Sequence, residues 1–175
     1  MSTSSTSRPG IADVNAMTRE DFVGSLGGIF EHASWVADET WGRLPFSDVD
    51  ALHAAMIETV RSSPSERVLE FLNGHPELAG SEARAGTMTD DSKGEQSSAG
   101  LDALTAAEVA EMTELNKTYR ESHGFPFILA VRDRDKDAVL KELRLRTERP
   151  TDVEWDEALT QIGFITRQRL GRLLG

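Results

Sequence analysis

An all-α fold of about seven to nine helices, with one short extended segment near residues 125–131, is what this 175-residue sequence predicts. Three observations predict it. Apolar residues recur at helical spacing from Thr18 onward, and Ser or Thr followed three residues later by an acid recurs as a helix start. Only Phe125–Val131 is apolar without a 3.6-residue period, and Pro126 disfavours helix for the residue before it.

Residues 1–12 are Ser/Thr-rich and aperiodic, which predicts a disordered tail and leaves 13–175 as the helical domain. Thr18 caps a helix with Phe22, Leu26, Ile29 and Phe30 on one face. A short helix holds Trp35, Val36 and Trp41 and ends near Pro45. Ser47, with Asp50 three residues on, opens a helix whose Val49, Leu52, Met56, Ile57 and Val60 form a core stripe. Ser63-Pro64-Ser65-Glu66 starts the next, which runs through Val68, Leu69, Phe71 and Leu72 to a left-handed stop at Asn73-Gly74. Residues 80–100 contain four glycines and almost no large apolar side chains, and read as a long loop. A capping box at Thr105–Glu108 leads a helix through Val109, Met112, Leu115 and Tyr119 to Gly124. Two helices close the chain, one over 135–148 and one from a capping box at Thr151–Glu154 through Ala158, Leu159, Ile162, Ile165 and Leu173.

Composition narrows the function. A net charge of −11 argues against a nucleic-acid partner, because phosphate binding needs clustered Lys and Arg. No apolar run has bilayer-spanning length, the N-terminus lacks a signal core and the C-terminus lacks a Ser-Lys-Leu address, so the expected compartment is the cytoplasm. The absence of cysteine removes disulfides, thiol nucleophiles and Cys-ligated zinc, and no His or carboxylate spacing resembles a metal site.

Four features could carry chemistry. His75 follows a helix end, where unpaired carbonyls favour imidazolium, so it could move protons near neutral pH; position alone favours a plainer capping role. Glu95-Gln96 pairs a carboxylate with a carboxamide, a set able to recognise a urea-like edge, although in a Gly/Ser-rich loop solvated polar residues are commoner. Arg144, Arg146, Arg167, Arg169 and Arg172 crowd the last two helices, and one facing a pocket would suffice to clamp a carboxylate. The backbone of Phe127–Val131 has no second strand to pair with and could serve a flat heterocycle, unless it is merely an apolar connector.

Taken in order, several segments resemble the 2-oxo-4-hydroxy-4-carboxy-5-ureidoimidazoline (OHCU) decarboxylase family. They are Phe22–Glu31 with Trp35-Val36-Ala37, His75-Pro76-Glu77-Leu78-Ala79-Gly80, Ser92-Lys93-Gly94-Glu95-Gln96 with Ala99-Gly100-Leu101, Leu115-Asn116 with Tyr119, Gly124-Phe125-Pro126-Phe127-Ile128, and Arg169-Leu170. The resemblance implies an all-α, cofactor-free homodimeric enzyme that releases carbon dioxide from OHCU to give (S)-allantoin, the last step from urate. It implies His75 and Glu95 as catalytic residues. Substrate contacts are implied for Pro76, Ser92, Lys93, Gly94, Glu95 and Gln96, and for Phe127, Ile128, Leu129, Ala130 and Val131 through the main chain. Arg169 is the implied carboxylate partner, and Arg146, which matches another family arginine, is implied as a further substrate contact. Ser34, His123 and Arg149 depart from the family pattern, where Pro, Phe and Asn are usual. Two other readings stay open: a hydrolase of a related ureide, and a non-catalytic helical interaction protein on the same fold.

Overall fold

The computed structural model describes residues 8–175. Ten helices occur among them: α1 (Ile11–Asn15), α2 (Arg19–Leu26), α3 (Trp35–Trp41), α4 (Val49–Arg61), α5 (Ser65–Asn73), α6 (Ser81–Ala85), α7 (Asp90–Ser98), α8 (Ala106–His123), α9 (Lys136–Thr147) and α10 (Thr151–Leu173). No strand occurs among the described residues. Of the segment 1–12, residues 1–7 lie outside those described, and Ile11 and Ala12 already belong to the first turn of α1.

The backbone falls into two compact units, residues up to 64 with 165–175 and residues 65–164, so α10 contributes residues to both. In the first unit α2 packs on α3 and α3 on α4. Phe22, Leu26, Val36, Leu52 and Met56 have essentially no exposed surface. A polar seam crosses α3 and α4, where the Thr40 and Thr59 hydroxyls lie 3.1 Å apart and Thr40 donates to the Val36 carbonyl at 2.7 Å. Asn15 clamps the α3–α4 connection by exchanging two 2.8 Å hydrogen bonds with the backbone of Phe46. Asp48, not Ser47, caps α4: it has the extended backbone a cap requires, and its carboxylate accepts the Ala51 N–H at 2.8 Å.

In the second unit α8 packs on α9. Thr105 and Glu108 form the predicted reciprocal capping box, and α8 stops at Gly124 in the left-handed region, φ 82°. The end of α5 differs from expectation, because Gly74 is not left-handed. Asn73 uses its amide to satisfy the carbonyls of Leu69 (3.0 Å) and Gly124 (3.1 Å), so the helix end is finished by a side chain. Residues 80–100 also differ: they hold α6 and α7 rather than one long loop. Thr89 caps α7, and Asp90 and Asp91 sit in its first turn, where the helix dipole favours acids. The buried residues of α7 are Ser92 and Gln96, so it lacks the apolar stripe by which helices are read from sequence.

Candidate active site

The turn that begins at His75 is held from three sides. His75 is half-buried and Pro76 buried. Asn116 of α8 donates to the Leu78 carbonyl at 2.9 Å, Arg120 donates to the Glu77 carboxylate at 2.9 Å, and Arg84 donates to the Ala79 carbonyl at 3.1 Å. Ala79 is left-handed, φ 50°. A Cβ at Gly80 would stand 2.6 Å from the Cβ of Glu77, so the turn closes only with glycine there.

Helix α7 supplies the second element. Ser92 and Gln96 are buried, Glu95 is half-buried, and Lys93 and Gly94 are exposed. Helical spacing brings Ser92, Glu95 and Gln96 onto adjoining turns. Gln96 is committed to the His75 turn: its Oε1 accepts the Ala79 N–H at 2.8 Å, and its Nε2 donates to the Glu77 carbonyl at 3.4 Å and to Met88 Sδ at 3.1 Å. Beside it opens a cavity of about 520 Å³, lined by Ala79, Met88, Lys93, Gln96, Leu101 and Val109 among others. Of the expected site residues, Lys93 and Gln96 reach this cavity; its lining does not include His75 or Glu95.

Phe127–Val131 has irregular backbone, and its polar groups are less available than the sequence suggests. Arg146 Nη1 donates to the Ile128 carbonyl at 2.8 Å, the Ala130 N–H donates to Gln161 Oε1 at 3.0 Å, and the Val131 carbonyl accepts the Arg134 N–H. Side chains from α9 and α10 thus do what a second strand would do. Arg146 has no exposed surface; its Nε donates to Glu154 Oε2 at 2.8 Å, and its guanidinium lies 4.6 Å over the Phe127 ring. The Tyr119 hydroxyl donates to the same carboxylate oxygen at 2.5 Å. Burial, reinforced by that hydrogen bond, pushes the Tyr119 hydroxyl pKa well up, so it stays a donor throughout the working pH range.

Glu154 is where the sequence reading fails most clearly. Expected to cap α10, it turns inward instead, because buried Arg146 requires a buried counterion. Thr151 is the first residue of α10 and hydrogen-bonds His123 Nδ1 at 2.8 Å. His123, the departure from the family's Phe, lies edge-on to Tyr119 at 4.5 Å between ring centres.

Helix α8 joins these elements. Asn116 holds the His75 turn, and three residues on, Tyr119 packs against Phe127 at 5.4 Å. Within the second unit α7 is therefore bonded to the His75 turn, and α8 links that turn to the 127–131 segment. Arg169 lies in the first unit, buried, donating to the Ile29 carbonyl at 3.3 Å and to Glu31 at 3.1 Å. Glu31, Tyr119 and Glu154 carry polar roles that residue-by-residue reading missed. The signal for Glu154 was an acid at an otherwise core-facing position of a helix rich in Leu and Ile.

Comparison with known proteins gives a consistent picture. The profile of the OHCU decarboxylase family matches residues 15–171. The chain is similar to the 2-oxo-4-hydroxy-4-carboxy-5-ureidoimidazoline decarboxylases of Halalkalicoccus jeotgali (37% identical, covering 93% of this chain and 90% of the relative) and Bos taurus (39%, covering 94% and 97%). Among solved structures it is similar to an (S)-allantoin synthase, with a TM-score of 0.75 and 30% identity; the match covers 95% of this chain and 54% of that one.

Proposed function

This chain belongs to the OHCU decarboxylase family, and from that membership we propose that it releases carbon dioxide from OHCU to give (S)-allantoin, with His75 and Glu95 moving the protons. The observation that carries the residue assignment is the 2.8 Å bond from the Ala79 N–H to Gln96, which ties the helix bearing Glu95 to the turn bearing His75.

The chemistry needs no electron sink beyond the substrate. When the ring-carbon–carboxyl bond breaks, its electron pair forms a double bond to the neighbouring carbon, and the imine nitrogen takes up a proton. The resulting enol then loses its hydroxyl proton and gains one on the neighbouring carbon, which becomes the stereocentre of allantoin. In this reading His75 takes the hydroxyl proton and Glu95 delivers a proton to one face, setting the S configuration. Pro76, Ser92, Lys93, Gly94 and Gln96 form the wall around them, and the main chain of 127–131 contacts the ring. Arg169 is assigned to the substrate carboxylate on the family pattern alone. The same pattern supports a homodimer, and the compartment we propose is the cytoplasm. No helix among the described residues is long and apolar enough to cross a membrane.

The test generates OHCU in situ from urate and follows allantoin handedness by circular dichroism. His75→Ala should lose at least about a hundredfold in rate. Glu95→Gln should lose enantiomeric excess. Unchanged rate and handedness in both variants would overturn the residue assignment; a wild-type chain that leaves the spontaneous decay of OHCU unaltered would overturn the activity.

A further inference from the structure

Two side chains with no part in the proton transfers hold the backbone that the proposed chemistry uses. The Ile128 carbonyl is bound by Arg146 of α9, and the Ala130 N–H by Gln161 of α10. Ile128 and Ala130 lie two residues apart, and each is pinned by a different helix. Between them, the N–H and C=O of Leu129 make no hydrogen bond among the described residues.

We propose that Arg146 and Gln161 are positioning residues: they fix the peptide groups on either side of Leu129 so that the unbound N–H and C=O of Leu129 meet the substrate's cyclic-urea ring in register. This rests on the assignment of that segment to substrate binding. Each clamp is itself braced. Arg146 is held by Glu154, which also accepts from Tyr119, and Gln161 Nε2 donates to Glu157 at 2.6 Å. A fully buried Arg–Glu pair is a poor source of stability, because desolvating both charges offsets their attraction and apolar residues of equal size do as well. What apolar residues could not supply is a rigid donor on the Ile128 carbonyl with a flat face over the adjoining Phe127 ring.

The test compares Gln161→Met and Arg146→Lys with Val139→Ala, at a buried α9 position seven residues before Arg146 that makes neither clamping hydrogen bond. Gln161→Met should raise KM for OHCU about fivefold, the worth of one hydrogen bond, with kcat within about twofold of wild type. Its Ala130 amide should exchange faster with solvent. Arg146→Lys should shift KM in the same direction and further, while Val139→Ala lowers Tm without moving KM. If Arg146→Lys fails to fold, Gln161→Met alone decides. Faster Ala130 exchange with an unmoved KM overturns the clamp, and so does a KM rise in Val139→Ala at matched loss of Tm. Loss of activity in His75→Ala alongside an unmoved KM in Gln161→Met leaves the activity standing and the clamp refuted; an inactive wild-type chain refutes both.

Discussion

Asn116 presents one donor and one acceptor to the protein interior, and only the donor is used: Nδ2 reaches the Leu78 carbonyl, while the buried Oδ1 has no partner. This asymmetry makes its two near-isosteric substitutions informative. Asn116→Leu strips the Leu78 carbonyl of its donor but also removes the unpaired oxygen, so the losses partly cancel and about 1 kcal/mol should be lost. Asn116→Asp leaves the carbonyl facing a carboxylate, with a buried charge and no counterion, and should cost about 3 kcal/mol or more at pH 7. Urea denaturation of the two variants checks the order; equal losses would mean that Asn116 fills space and does not hold the His75 turn. The same logic explains Gln96, whose carboxamide the sequence assigns to a ligand. An amide within hydrogen-bonding reach of the left-handed Ala79 backbone finds its complement in that backbone first.

Helix α8 shows what a cap does when it is also part of a contact between helices. Glu108 closes the box with the Thr105 N–H at 2.7 Å and pairs with Lys136, the first residue of α9. The Lys136 hydrogen bond, followed by that of the Thr105 N–H, holds the Glu108 carboxyl below its ordinary value of 4.5. A depressed carboxyl stabilises the fold above the unfolded value and loses that contribution as pH falls through the folded one. Glu108→Gln should therefore lower Tm at pH 7, with the deficit fading below about pH 4.5; a deficit constant from pH 7 to pH 3 would show that the charge is irrelevant. This element was legible in the sequence because Thr105, Glu108 and Gly124 act locally, on backbone three residues away or on their own φ. Helix α7 was not, since it packs through Ser92 and Gln96 and leaves no hydrophobic period to detect. The Thr151–Glu154 motif misled for the complementary reason: the pattern was local, but a buried guanidinium from another helix had the stronger claim on the acid. The site was legible only as ordered segments, His75–Gly80, Ser92–Gln96 and Gly124–Ile128. The buried partners that hold them, Asn116, Glu154 and Gln161, become meaningful once the helices are in place.

At the scale of the whole chain, 30 acidic residues face 19 basic ones. Some of that imbalance is locally relieved: Arg19 pairs with Asp38, Arg167 with Asp50, and Arg144 with Glu111. These pairs are well exposed, so each contributes little, and less as salt is added. The remaining net charge of −11 acts across the entire folded chain, where compaction brings like charges nearer than in the unfolded state. Salt screens both effects, and their balance decides the sign. Eleven uncompensated negative charges outweigh a few solvent-exposed pairs, so screening should stabilise. Raising sodium chloride from low to physiological concentration at pH 7 should increase Tm by roughly 2–4 °C, equivalent to about 1 kcal/mol for a chain of this size. The increment should shrink as pH approaches the sequence pI of 4.8, where the net charge vanishes. Differential scanning calorimetry across that salt and pH grid checks both halves. A Tm that falls with salt at pH 7 would mean that the attractive pairs dominate and that the acidic excess imposes no folding penalty.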